Sequence, residues 1–319
     1  MRKFTRIYLL VIFAIAGIAA FTSCNSNDDD GTPDIEIPGI TFDGDTECCS
    51  AEEALQVYKF VQKLKILPEL SLSIDGKYDI TAYAGGAFHS GYNEIYFVAT
   101  KKLSGNYVKN FEINNLTPLM YMVKMDMKHS TPVGAVETFD NSILAVKCGW
   151  VSFVMNTSDA GSWTLVYSAT VLGAKGATEP IDITVNALPD GQAWLKSFKV
   201  GDDAYFLSLV NPTDWKTGTN EIVAYVSKKN TPATTPYGLA NEKFTIEIDP
   251  RMPDMGNHTS PDNTALTRQD DGSHRGTINL TMTGLWRIHL TIKDAEGNIV
   301  GGGDDLSDGY SSLFWDVTL

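Results

Sequence analysis

The chain has 319 residues, 43% of them hydrophobic and 10% aromatic, which is enough apolar material for more than one core and excludes a wholly disordered polymer. Its formal net charge of -14 excludes a dedicated nucleic-acid surface, because phosphate binding needs clustered Lys and Arg and no basic run occurs. Acidity of this kind favours solubility.

Arg2, Lys3 and Arg6 precede "YLLVIFAIAGIAAF" (Tyr8 to Phe21), a basic n-region followed by an apolar run too short to span a bilayer comfortably. Residues 1–23 are therefore expected to be a signal peptide. Its end, "FTSC", resembles a lipobox, which implies diacylation of Cys24 and attachment to a membrane through acyl chains without a transmembrane helix. Removing the three basic residues of the leader takes the charge from -14 to -17. The next residues, "NSNDDDGTPD", resemble the surface-export signal of Bacteroidetes-type lipoproteins. That resemblance implies an outer-membrane lipoprotein on the cell surface, with the periplasmic face as the alternative. Residues 24–47 are Asp-, Pro- and Gly-rich and are expected to form a disordered acidic tether.

Three cysteines follow Cys24: Cys48, Cys49 and Cys148. Vicinal Cys48 and Cys49 do not easily bond to each other, no zinc spacing occurs, and Cys148 lies in an apolar strand pattern that suits a buried thiol.

An amphipathic helix is expected over residues 48–68. Ser50 and Glu53 have capping-box spacing, Val57, Phe60, Val61, Leu64 and Leu67 recur at helical period, and Pro68 supplies a stop. Such a helix should lie across a neighbouring sheet.

An internal repeat then begins. "FHSGYNEIYFVATKK" (Phe88 to Lys102) matches "WKTGTNEIVAYVSKK" (Trp215 to Lys229). Further on, "KMDMKHSTP" (Lys124 to Pro132) answers "RMPDMGNHTSP" (Arg251 to Pro261), and Met155 and Trp163 answer Met282 and Trp286. The order is preserved, so two copies of one domain are expected at 71–188 and 194–319, joined by "PDGQ". Within each copy the hydrophobic period is two: Trp286, Ile288, Leu290 and Ile292, for instance, alternate with Arg287, His289 and Thr291, which places His289 on the outward face. Many short alternating strands in each copy predict an all-β fold of two tandem immunoglobulin-like β-sandwiches.

The run from "RMPDMGNHTSP" through "GTINLTMTGLWRIHL" resembles the YtkA-like family, related to FixH. Met252, Pro253, Met255 and Gly256 match its MPxMG-type loop, and Thr281, Met282, Thr283, Gly284 and Trp286 match its "TMTGxW" turn. The first copy lacks the Pro and Gly of the loop and joins the family through the repeat. The resemblance implies exported sandwich domains from a neighbourhood associated with copper handling and respiratory-oxidase assembly.

Met252, Met255 and His258, on a segment where strand alternation is not expected, form one candidate set of soft ligands. Met125, Met127 and His129 form the other. Thioethers carry no proton at physiological pH and, with an imidazole, suit Cu(I) better than zinc, calcium or magnesium. The competing reading is a loop plug with hydrogen-bonded histidines. Met155 and Met282 read as core filler, and Met120 and Met122 alternate with Tyr121 as strand residues do.

No nucleophile elbow, HExxH, phosphate-binding glycine loop or GxGxxG occurs, which makes a non-catalytic protein the expectation. A metal-binding lipoprotein with a copper or protein partner is the leading functional reading. A surface binding, adhesion or structural module with no metal is the alternative.

Overall fold

The computed structural model describes residues 35–42, 49–189, 192–303 and 310–319. The leader, Cys24, Cys48 and the acidic patch lie outside them. Ile35 to Phe42, expected to belong to the free tether, instead packs on the first domain: Ile37 is buried, and the Thr41 N–H donates to the Ser104 carbonyl at 2.7 Å. The isoleucines at 35, 37 and 40 supply the apolar surface that the tether reading overlooked.

The helix α1 (Ala51–Val61) starts where the capping box places it. The Ser50 N–H donates to the Glu53 carboxylate at 2.8 Å and the Glu53 N–H to Ser50 Oγ at 3.3 Å. Ala54, Val57 and Val61 are buried on one face, and Phe60 packs against Tyr96 and Phe139 with ring centroids at 5.3 and 4.8 Å. The helix does not reach Pro68. The chain is already extended at Lys65, and Leu67 is buried as a strand residue. Pro68 is accommodated because that strand is at a sheet edge and its pairing is irregular between Leu67 and Leu72, so the missing N–H removes no regular ladder bond.

The first copy comprises β1 (Lys65–Ile74), β2 (Tyr78–Ala84), β3 (Gly91–Lys101), β4 (Tyr107–Val108), β5 (Phe111–Met122), β6 (Met127–His129), β7 (Glu137–Thr138), β8 (Val146–Phe153), β9 (Gly161–Val171), β10 (Ala174–Ala177) and β11 (Ile181–Ile183). One layer runs β1-β2-β3-β8-β7 and the other β10-β9-β5-β6, with β11 also on β9. Trp163, Tyr167, Phe97, Phe153 and Met120 fill the space between the layers. Helix α1 covers the outer face of β3 and β8 through Tyr96, Val98 and Val146.

The second copy comprises β12 (Leu195–Val200), β13 (Asp203–Asn211), β14 (Gly218–Lys228), β15 (Thr245–Met252), β16 (His258–Thr259), β17 (Leu266–Arg268), β18 (Ser273–Leu280), β19 (Leu285–Lys293), β20 (Ile299–Gly301) and β21 (Phe314–Thr318). Its pairings reproduce those of the first: β12-β13-β14-β18-β17 answers the first layer, and β15 and β19, with β16, β20 and β21, answer the second. Here β17 pairs with both β18 and β15, so the two layers join into one sheet folded on itself. The architecture is all-β in both copies.

Local detail is alike in the two halves. Trp163 on β9 and Trp286 on β19 are fully buried, and each indole N–H donates at 2.9 Å to a main-chain carbonyl, of Met155 and Met282 respectively. Asn93 closes a turn by accepting from the His89 N–H and donating to the His89 and Gly91 carbonyls. Asn220 does the same with Lys216 and Gly218. Gly91 and Gly218 have φ of 92° and 91°, a conformation that explains why both copies carry glycine there.

The copies are stitched together by main-chain bonds. The Ser130 N–H donates to the Ala233 carbonyl at 2.7 Å, Tyr237 to Thr131 at 3.0 Å, and Val133 to Tyr237 at 2.9 Å. Tyr237 is buried and stacks on Phe206, which anchors the stitch in the second domain.

His274 on β18 is buried, and desolvation, with the neighbouring Arg268 charge as second cause, pushes its pKa down to about 4. An unfolded histidine titrates near 6.5, so between these values the unfolded chain binds more protons than the folded one. Stability from this site is full above pH ~6.5 and is lost as pH falls towards 4, by an amount on the order of 3 kcal/mol. Urea unfolding at pH 7 and 4.5 should show this loss in the parent and a smaller loss in His274→Leu; equal losses contradict the assignment.

Candidate metal site

The side chains expected to bind metal are positioned by the hairpin that follows the central strand of the second layer in each copy. In the first copy β5 lies between β6 and β9. Its register makes one row of His129, Met120 and Trp163, and the next row but one of Met127, Met122 and Gly161. Residues directly opposite, and those two apart, share a face. Met120 and Trp163 are fully buried, so this is the core face at the open end of the sandwich. The intervening row of Lys128, Tyr121 and Ser162 points away, with the Lys128 ammonium 5.9 Å from the Tyr121 ring centroid and Tyr121 Oη donating to Asp126 at 3.1 Å.

Four soft donors therefore share one face: Met120, Met122, Met127 and His129. Directly opposed pairs have Cβ atoms ~4.5–5.5 Å apart and diagonal ones ~7–8 Å, a spacing that long, unbranched thioethers can close by rotamer changes. The absence of a side chain at Gly161 leaves room for the thioether of Met120: a Cβ there would sit 2.7 Å from Met120 Sδ. Burial grades from Met120, fully buried, through Met122, half-buried, to Met127, 54% exposed.

His129 is already oriented. Its Nδ1 lies 2.8 Å from the Ser130 carbonyl, which can only accept, so Nδ1 is the donor and Nε2 is the nitrogen left to face a metal. The ring meets Trp163 edge-on at 5.7 Å. Met125, grouped with Met127 and His129 from sequence, sits instead in the 3-10 turn Val123–Met125 and is 57% exposed. Met122 takes its place beside Met127.

The second copy carries the same row in reduced form. Met252 pairs with His258, and the β15–β19 register carried one residue beyond Arg251 and Arg287 sets Met252 beside Trp286. Met252 is not a loop residue. It ends β15 with extended backbone (φ -101°, ψ 102°), is 4% exposed, and its methyl group fills the space left by Gly284, 3.0 Å from where a Cβ would be. Pro253, which opens the 3-10 turn Pro253–Met255, disfavours helical backbone at Met252, and Met122 has the same extended conformation (φ -93°, ψ 101°) before the turn Val123–Met125. The chain then reverses at once, with Gly256 and Asn257 both at positive φ, so no second row of facing methionines exists. Met255 is 57% exposed on the turn, and His258 is exposed with its ring 6.3 Å from Trp286. The set Met252, Met255 and His258 is thus one core side chain, one turn side chain and one edge imidazole.

Among the described residues no three His, Cys, Asp or Glu side chains gather as a donor set. The first-copy cluster is of a different kind, thioethers with one imidazole, and fits a soft monovalent ion. His289, on the outward face of β19 as the alternation places it, is covered there: its Nδ1 donates to the Ser311 carbonyl at 2.6 Å and the ring stacks on Tyr310. Cys148 on β8 is half-buried, and burial, with Glu94 as second cause, pushes its thiol well above the ordinary range. No protein-family model matches the chain, and no curated protein matches it.

The contact between Gly161 and Met120 yields a direct test. Gly161→Ala puts a methyl against Met120 Sδ and the Tyr121 carbonyl, at 2.7 and 2.8 Å, and should destabilise the protein by about 1–3 kcal/mol in denaturant unfolding. Unchanged stability would mean that Met120 does not occupy the place described.

Proposed function

We propose that this chain is a non-catalytic, exported lipoprotein whose first domain binds Cu(I) through Met120, Met122, Met127 and His129. The observation that carries the reading is the shared face of three thioethers and an imidazole whose Nδ1 is committed to the Ser130 carbonyl. Such a donor set stabilises Cu(I) without losing protons, and its graded burial gives a partner access to Met127 while Met120 stays in the core. The likeness of the second copy to YtkA-like domains supports the copper assignment, and "FTSC" followed by the acidic patch supports a lipid anchor at Cys24 on the outer membrane, facing the cell exterior. In the second copy the row stops at Met252 and His258, and that domain serves as the structural partner.

Competition with a chromogenic Cu(I) chelator under reducing conditions tests the metal. The parent should retain one equivalent, Met127→Leu and His129→Gln should each weaken binding about tenfold or more, and Met255→Leu should bind like the parent. A parent that loses all its copper to the chelator, or a Met255→Leu defect equal to that of Met127→Leu, contradicts the assignment.

The anchor is tested separately. Cys24→Ala should abolish incorporation of labelled palmitate, and replacing Asp28, Asp29 and Asp30 with Ala should protect the protein from protease added to intact cells. Equal lipid labelling in the cysteine variant contradicts the first claim, and unchanged protease sensitivity contradicts the second.

A further inference from the structure

The repeat brings its two Asn-Glu dipeptides to the same place. Glu94 on β3 and Glu221 on β14 occupy equivalent positions in their copies, and both line a cleft of about 740 Å³ where the two domains meet. Neither domain forms this cleft alone. Its size falls within the ~300–1,000 Å³ range of small-ligand sites, which gather preferentially at domain junctions.

The duplicated carboxylates are not in equivalent surroundings. Glu94 accepts from Tyr92 Oη at 3.1 Å on one oxygen and from Tyr96 Oη on the other, so it is held rigidly. Burial, with Glu94 contributing, raises the pKa of both tyrosines, which keeps the two phenols protonated as donors. Each Glu94 oxygen retains acceptor capacity for a further hydroxyl. Glu221 instead pairs with Arg275 at 3.2 Å, and Arg275 also reaches Asp271 at 3.2 Å, so two carboxylates share one guanidinium and that end keeps an excess of negative charge. His89 Nδ1 donates to the Ser90 carbonyl at 2.9 Å, and the residue lines the cleft.

The apolar component is aromatic. Tyr225 stacks on Trp150 with centroids at 4.9 Å and an interplanar angle of 16°, and Tyr92 lies 5.8 Å from Trp150 and 5.9 Å from Tyr225. The trio bridges the two domains, because Tyr92 and Trp150 belong to the first copy and Tyr225 to the second. Gly85 and Gly86 also line the cleft, with open space where side chains would be.

A braced carboxylate, an arginine shared by two carboxylates, an imidazole and tyrosine rings suit a ligand that carries no negative charge, offers many hydroxyls and presents C–H faces to aromatic rings. We propose that the cleft between the domains binds a neutral oligosaccharide, with Glu94 and Arg275 taking hydroxyl groups and Tyr92 and Tyr225 packing against a sugar ring. A phosphorylated or otherwise anionic ligand is disfavoured because Arg275 is already shared by Glu221 and Asp271. This site is independent of the Cu(I) reading, since it uses none of its ligands.

Isothermal titration of the metal-free protein with neutral gluco-, xylo- and manno-tetraoses tests it. At least one should bind the parent, and Glu94→Gln and Tyr225→Ala should each weaken that binding about tenfold while leaving the far-UV spectrum unchanged. Glu94→Gln keeps shape and removes charge, so it guards against a folding defect in the tyrosine variant. Absence of binding to all three sugars at millimolar concentration overturns the proposal, as does binding that both variants leave intact.

Discussion

The structure of the candidate site depends on one register: β5 lies between β6 and β9 so that Met120 faces both His129 and Trp163. Once a fully buried indole fixes which face of β9 is the core, every second residue of β5 and β6 is committed to that face. A slip of one residue would send Met120, Met122, Met127 and His129 to solvent and bring Tyr121 and Lys128 inward. The indole N–H, bonded to the Met155 carbonyl at 2.9 Å, and the bare Cα of Gly161, which leaves room for the Met120 thioether, both support this register.

Duplication shows which parts of that arrangement belong to the fold and which to chemistry. Both copies keep a buried tryptophan, a glycine two residues before it, a methionine on the adjacent strand and a histidine opposite that methionine. The shared row is therefore compatible with a packing role. What distinguishes the first copy is the extra length of its hairpin, which adds the pair Met122 and Met127 to the same face. The second copy spends that length on an early Pro-Gly reversal. The copy whose loop carries the Pro and Gly is thus the one with fewer convergent soft donors, and the first copy gathers more of them.

Much of the fold was legible because it rests on local rules. The capping box at Ser50 and Glu53, the period-two strands and the ordered repeat all reflect constraints that act over a few residues, and each has its counterpart in the structure. Pro68 misled because a proline stops a helix interior but is tolerated in an edge strand, and edge position is a tertiary fact. Met252 misled for the opposite reason: its Pro- and Gly-rich context belongs to the turn that begins one residue later. Met122 was visible as a strand residue, yet its partnership with Met127 depends on turn length and cross-strand register, which the sequence carries only weakly. His289 was placed on the outward face correctly, but the chain terminus returns across that face through Tyr310 and Phe314.

The main-chain stitch between the copies links their geometry. Ser130 donates its N–H to the Ala233 carbonyl of the second domain and accepts from His129 Nδ1 at its own carbonyl, so the second domain helps orient the imidazole of the first. X-ray absorption at the copper edge of the Cu(I)-loaded protein reads the proposed coordination most directly. A sulfur-dominated first shell with one light scatterer, reduced by one sulfur in Met122→Leu, is the predicted result; a shell of nitrogen and oxygen alone, or a spectrum that Met122→Leu leaves unchanged, would contradict it.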